Sequence, residues 1–191
     1  MKKALGMLPV LVLSASLAQA STITFQTSLS GPAENPPNSS LGTGFATLLY
    51  DNVTHLLSIN VSFQGLSGTT TASHIHCCVA SPGTAGVATT TPTFTGFPLG
   101  VTAGTYSAVL DLTLASSYNP AFITSSGGIA QAEQLLMSQM VAGNTYLNIH
   151  TTVVPGGEIR GFLATVPEPA TLTLFGVGLA GLAITHRRRR A

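Results

Sequence analysis

The chain has 191 residues, of which only 7% are charged, and it contains 20 glycines, 11 prolines and no tryptophan. This composition excludes a large multidomain enzyme and is atypical of cytosolic proteins, in which about a quarter of the residues are charged. Within residues 21–166, Arg160 is the one lysine or arginine, against five carboxylates. Nucleic acid is therefore excluded as a partner, because phosphate binding requires several basic residues on one face.

The first 20 residues have the pattern of a secretory signal peptide. Lys2 and Lys3 precede an apolar run at 5–17, and Ala-Gln-Ala at 18–20 matches the small-x-small site of signal peptidase. A buried N-terminal helix is the alternative, which the short apolar run with this flanking pattern disfavours. We expect an exported chain whose folded domain spans residues 21–165.

The central domain is predicted to be rich in β-strands. The segment HLLSINVSF at 55–63 alternates apolar and polar residues with a period of two, which is typical of a half-buried strand. Six further segments are predicted as strands: 23–29, 44–50, 73–76, 106–114, 145–151 and 158–164. About seven short strands separated by Gly, Pro, Asn and Ser predict an all-β fold, an antiparallel Greek-key sandwich or barrel.

One segment has helical spacing instead. The sequence IAQAEQLLMSQMVA at 129–142 repeats apolar residues every three to four positions, and Gly143 is placed to end a helix. We expect one short helix that leads into the strand at 145–151. Residues 30–43 and 77–104 are expected to form long loops.

Three histidines are the candidate metal ligands. His74 and His76 are separated by one residue, so on a strand both imidazoles point to the same face. His150 lies on another predicted strand, and if the two strands are close the three rings form a site suited to zinc or copper. The alternative is a polar hydrogen-bond network that holds the loops without metal.

The two cysteines, Cys77 and Cys78, are adjacent in the sequence. In an oxidising exported setting they are candidates for a vicinal disulfide, for a bond to another molecule, or for soft ligands beside the histidine pair. A vicinal disulfide is the favoured hypothesis, because export normally removes free thiols.

Arg160 requires a carboxylate partner, since an unpaired buried cation is costly. Glu158 lies two residues away on the same strand face, and Glu34 lies in a predicted loop. We expect one of these two carboxylates to bind Arg160, in a structural ion pair that anchors the Glu34 loop to the last strand. A catalytic carboxylate pair is the alternative, and no spacing rule supports it.

Residues 166–191 combine three parts. Pro167-Glu168-Pro169 is followed by an uncharged run at 170–185, long enough for a short transmembrane segment, and by a basic tail at 186–190. This order resembles the PEP-CTERM sorting signal of Gram-negative bacteria. The resemblance implies transient anchoring in the inner membrane, cleavage by an exosortase, and release to the cell surface or exopolysaccharide matrix. A permanent single-span anchor is the alternative.

The mature chain also resembles the CHRD domain, named for the repeats of chordin, an animal antagonist of bone morphogenetic proteins. Five spaced motifs carry the resemblance: GPAENPP at 31–37, GLSG at 65–68, HIH at 74–76, YLNIHT at 146–151 and PGGEIRG at 155–161. The resemblance covers nearly all of the mature chain and implies a β-domain. The HxH strand is also similar to that of copper/zinc superoxide dismutase, but this domain has too few histidines for that enzyme's ligand set.

These features together predict an exported CHRD-like module of the cell surface or matrix, with a binding or structural role and no catalysis. Exopolysaccharide and other surface components are its expected partners. The competing hypothesis is a small protein that binds copper or zinc through the three histidines. One form of this hypothesis makes the bound metal redox-active. A growth-factor-binding role by analogy with chordin rests on the fold alone.

Overall fold

The computed structural model of the protein describes residues 22–167. The predicted signal peptide, the predicted transmembrane run at 170–185, its basic tail, and Glu168 and Pro169 of the sorting motif lie outside the described residues. Among the described residues, no helix has both the length and the apolar character needed to span a bilayer.

Within residues 22–167, nine strands form one antiparallel sheet, and the predicted all-β class is confirmed. The strands are β1 (Thr22–Ser30), β2 (Thr43–Asp51), β3 (Leu56–Gln64), β4 (Thr70–Cys77), β5 (Gly86–Val87), β6 (Gly104–Asp111), β7 (Thr145–Thr151), β8 (Ile159–Phe162) and β9 (Ala164–Thr165). Their order is β5-β4-β7-β8-β1-β2-β3-β6, and β9 pairs with β1. The chain crosses between the two halves of this order from β3 to β4 and again from β6 to β7, and β6 returns beside β3 after the β4–β5 pair, which is the returning connection of a Greek key.

The sheet curves into a half-barrel with two four-stranded halves. They meet where Ser30 of β1 pairs with Arg160 of β8. The inner faces of both halves contribute to one hydrophobic core, which includes Leu48, Ile59 and Leu147, all fully buried. Burial of each such side chain stabilises the fold by roughly 1.5–3 kcal/mol.

Two α-helices and one 3₁₀ turn, Ala115–Ser117, connect β6 to β7. The predicted helix is α2 (Ile129–Val141), which buries Leu136 and Met140 against the core. The prediction of a single helix is wrong, because α1 (Pro120–Ser126) precedes it. This helix has only seven residues and buries only Phe122, so the sequence shows no clear helical period there. Its start is nevertheless typical of a helix, because the Asn119 side chain accepts a hydrogen bond from the Ala121 N–H and Pro120 is the first helical residue.

The strands β4, β7 and β8 are buried on both faces. One face packs in the hydrophobic core, and the other is covered by the loops that contain Ala33, Pro82, Ala85, Pro92 and Pro155. This second face carries the histidines and Arg160. A buried polar layer therefore lies between the sheet and its loops.

Candidate metal centre

The pairing of β4 with β7 brings the three predicted ligands together. In the register of these strands His74 is opposite Asn148 and His150 is opposite Ala72. The ring centroids are separated by 5.8 Å for His74 and His76, 5.2 Å for His74 and His150, and 6.0 Å for His76 and His150. One nitrogen from each ring lies within 4.8 Å of the other two.

The second nitrogen of each ring faces a backbone carbonyl. His74 Nε2 lies 2.5 Å from the Pro92 oxygen, and His76 Nδ1 and His150 Nδ1 each lie 2.9 Å from the oxygens of Ala85 and Pro155. A carbonyl oxygen only accepts hydrogen bonds, so these ring nitrogens carry the proton. In the neutral rings, His74 Nδ1, His76 Nε2 and His150 Nε2 are then left with lone pairs.

These three inward nitrogens are buried and have no hydrogen-bond partner among residues 22–167. Burial lowers the pKa of all three imidazoles, that of His76 to about 4, so the rings are neutral at neutral pH. A buried polar atom without a partner costs about 1–3 kcal/mol, which makes three convergent lone pairs expensive for a purely structural network.

The arrangement fits a transition-metal ion. Zinc and copper bind neutral imidazole nitrogens, and metal-binding histidines almost always donate the other ring N–H to a carbonyl, a carboxylate or water. Each of His74, His76 and His150 has that second contact here. The donor set and its outer contacts are therefore compatible with such an ion.

Tyr146 stacks on one of the three candidate ligands. Its ring stacks on His76 with 4.7 Å between centroids and 6° between planes, and its hydroxyl lies 3.2 Å from both the nitrogen and the oxygen of Ala85. Ala85 supplies the carbonyl that binds His76 Nδ1. The Arg160 guanidinium lies on the Tyr146 ring, with Cζ 4.7 Å from the centroid. Arg160, Tyr146 and His76 therefore form one stack.

Of the two carboxylates expected to bind Arg160, Glu34 lies beside it, with Glu34 Oε2 3.7 Å from Arg160 Nε. The same Nε donates to the Ala33 carbonyl at 2.6 Å, and the other guanidinium nitrogens donate to the carbonyls of Pro82 and Gly83. Burial raises the pKa of Glu34 to about 7, although Arg160 opposes the rise. The ion pair ties the Glu34 loop to β8.

Glu158, in contrast, binds hydroxyls and backbone amides. Ser40 Oγ and Thr151 Oγ1 each donate at 2.6 Å, and the N–H groups of Ser67 and Gly68 donate at 2.5 and 3.2 Å. Burial would raise the pKa of this carboxyl, but the hydrogen bonds outweigh it and lower the pKa to about 2. No pattern in the sequence indicated these partners, which come from three separate segments.

The remaining predicted residues lie near the site or apart from it. Cys77 and Cys78, directly after His76, are joined by a disulfide, and no free cysteine is present among residues 22–167. Soft thiolate ligands are therefore absent from the described site. His55 lies elsewhere, with its Nδ1 2.7 Å from Glu133.

Comparison with known proteins gives two family matches. The model of the CHRD domain matches residues 25–163, and that of the PEP-CTERM protein-sorting motif matches residues 165–190. No curated protein and no solved structure matches the chain. The three histidines, Tyr146 and Arg160 all fall within the first match.

Proposed function

The chain belongs to the CHRD domain family, and we propose that it is a non-catalytic binding module whose ligand is a transition-metal ion. Its sorting motif marks it for export, for processing by an exosortase, and for the cell envelope or surface. This proposal combines the surface role predicted from the sequence with the metal-binding alternative. The observation that carries it is the convergence of three unpartnered ring nitrogens within 4.8 Å.

The absence of catalysis is part of the proposal, and the state of the two buried carboxylates supports it. Glu158 already accepts four hydrogen bonds, and Glu34 lies against Arg160. A general acid or base needs an oxygen within reach of a substrate. Both side chains are almost fully buried, which favours structural roles.

The route to the surface is proposed from the two ends of the chain. Signal peptidase removes residues 1–20, the inner membrane of a Gram-negative bacterium holds residues 170–185 transiently, and exosortase cleavage releases the domain. The released domain binds metal at the cell surface or in the exopolysaccharide matrix, where surface polymers are its neighbours.

Metal content tests the proposal. The full-length chain is produced with its own leader and sorting segment, purified in mild detergent without an affinity tag, and analysed by inductively coupled plasma mass spectrometry. We expect close to one copper or zinc ion per chain. His74→Ala, His76→Ala and His150→Ala should each lose most of this metal, because two imidazoles alone hold an ion weakly.

His55→Ala is the matched control, since His55 lies outside the cluster and binds Glu133. It should retain the metal content of the parent. Far-UV circular dichroism of every variant separates loss of the site from loss of the fold. A folded parent without metal, or equal metal in the His55 and His76 variants, would refute the proposal.

A further inference from the structure

The number of ligands at the proposed site is low. Among residues 22–167, no further His, Cys, Asp or Glu joins His74, His76 and His150. A zinc ion bound by these three nitrogens would therefore need a water molecule as its fourth ligand. Zinc sites in proteins are almost always four-coordinate, with four protein ligands or with three and a bound water. Monovalent copper, a d¹⁰ ion, accepts three ligands in a plane.

The charge of the site also disfavours a divalent ion. The three imidazoles are neutral, and no carboxylate belongs to the cluster. The nearest permanent charge in the stack is the Arg160 guanidinium, separated from His76 by the Tyr146 ring through two contacts of 4.7 Å each. Arg160 is almost fully buried, so water screens its charge little. Glu34 lies 3.7 Å from Arg160 Nε, but because burial raises the pKa of Glu34 to about 7, its carboxylate offsets the Arg160 charge only in part at neutral pH.

We infer that the three-histidine site selects monovalent copper over zinc, and that Arg160 is the positioning residue whose charge, carried through the Tyr146 stack, produces this preference. The inference rests on the proposed metal site and names its ligand. At this separation and an effective dielectric constant near 20, each additional unit of metal charge weakens binding by about tenfold. Zn²⁺ carries one unit more than Cu⁺.

Competition under anaerobic conditions tests the inference on the full-length chain in detergent. The apoprotein is titrated with Cu⁺ against a chromophoric cuprous chelator and, separately, with Zn²⁺ against a chromophoric zinc chelator. The Cu⁺-loaded protein is then exposed to an equimolar amount of Zn²⁺. We expect one tightly bound Cu⁺ per chain, with no more than about a quarter of it displaced by zinc.

The outcomes separate this inference from the proposed function. If Zn²⁺ displaces Cu⁺ or binds with equal affinity, the selectivity is overturned and the metal site stands. If the folded apoprotein binds neither ion, both proposals fail.

Variants of Arg160 test the source of the preference. Arg160→Gln removes the charge and retains donor groups, and it should raise the affinity for Zn²⁺ relative to Cu⁺ by about tenfold. Arg160→Lys keeps the charge and should restore the original ratio. An unchanged ratio in a folded Arg160→Gln protein would overturn the role of Arg160, and the competition on the parent chain decides the selectivity even where this variant does not fold.

Discussion

Replacement of Glu158 by alanine should destabilise the domain strongly, because this carboxylate joins three segments. It accepts hydrogen bonds from Ser40, from the backbone N–H groups of Ser67 and Gly68, and from Thr151 at the end of β7. In the variant the two hydroxyls can turn toward other acceptors, but the two N–H groups lose their partner. A hydrogen bond to a charged group contributes about 1.5–3 kcal/mol, so we expect a loss of about 3–5 kcal/mol. That is a large part of a typical domain's stability.

Urea unfolding followed by far-UV circular dichroism measures this loss. Glu158→Gln is the matched variant, since it keeps the shape and one acceptor oxygen, and it should lose about half as much. The pH dependence gives a second test: the lowered pKa of Glu158 means that its stabilisation is present above about pH 4.5 and is lost as the pH falls toward 2. The reasoning would be refuted if the alanine variant lost less than 1 kcal/mol of unfolding free energy. It would also be refuted if the glutamine variant lost stability between pH 4.5 and 2 in the same way as the parent.

Three further predictions follow from other contacts. The raised pKa of Glu34 makes the folded state bind more protons than the unfolded state between pH 4.5 and about 7, so stability should decline as the pH rises through this window. Urea unfolding curves of Glu34→Gln should lack this decline. Tyr146→Leu should weaken metal binding at least tenfold by freeing the stacked imidazole, whereas Tyr146→Phe should keep most of the affinity; equal titration curves would contradict the stack. Gly161→Ala should destabilise by at least 1–3 kcal/mol, because its Cβ would clash with the Ser28 carbonyl, whereas Gly86→Ala has open space and should unfold close to the parent's midpoint.

The strands were largely predictable because alternation records which face is buried. The predicted strand at 55–63 differs from β3 by one residue at each end, and its apolar positions are buried as expected. The strand predicted to reach residue 114 ends at Asp111, whose side chain binds the Thr113 N–H and hydroxyl and forms a turn. Turn contacts of this kind depend on backbone geometry and leave little trace in hydrophobic periodicity.

The histidine cluster was only half predictable. The shared face of His74 and His76 follows from the period of two in a strand. The contribution of His150 depends on the pairing of β4 with β7, across more than 60 residues of intervening chain, which includes β6 and both helices. The carbonyls that orient the rings come from covering loops, and the stack of Tyr146 on His76 follows from their positions as opposite residues in that pairing.

The sequence by itself determined the family, the sorting motif, the β-rich class and the set of candidate ligands, because these depend on residue identity and local spacing. Only the tertiary structure decided that Glu34 lies against Arg160 while Glu158 binds amides and hydroxyls, and that three ring nitrogens meet without a partner. The physical reason is that burial and long-range strand pairing set which polar groups are isolated from water. That isolation gives both the ion pair and the histidine cluster their chemistry.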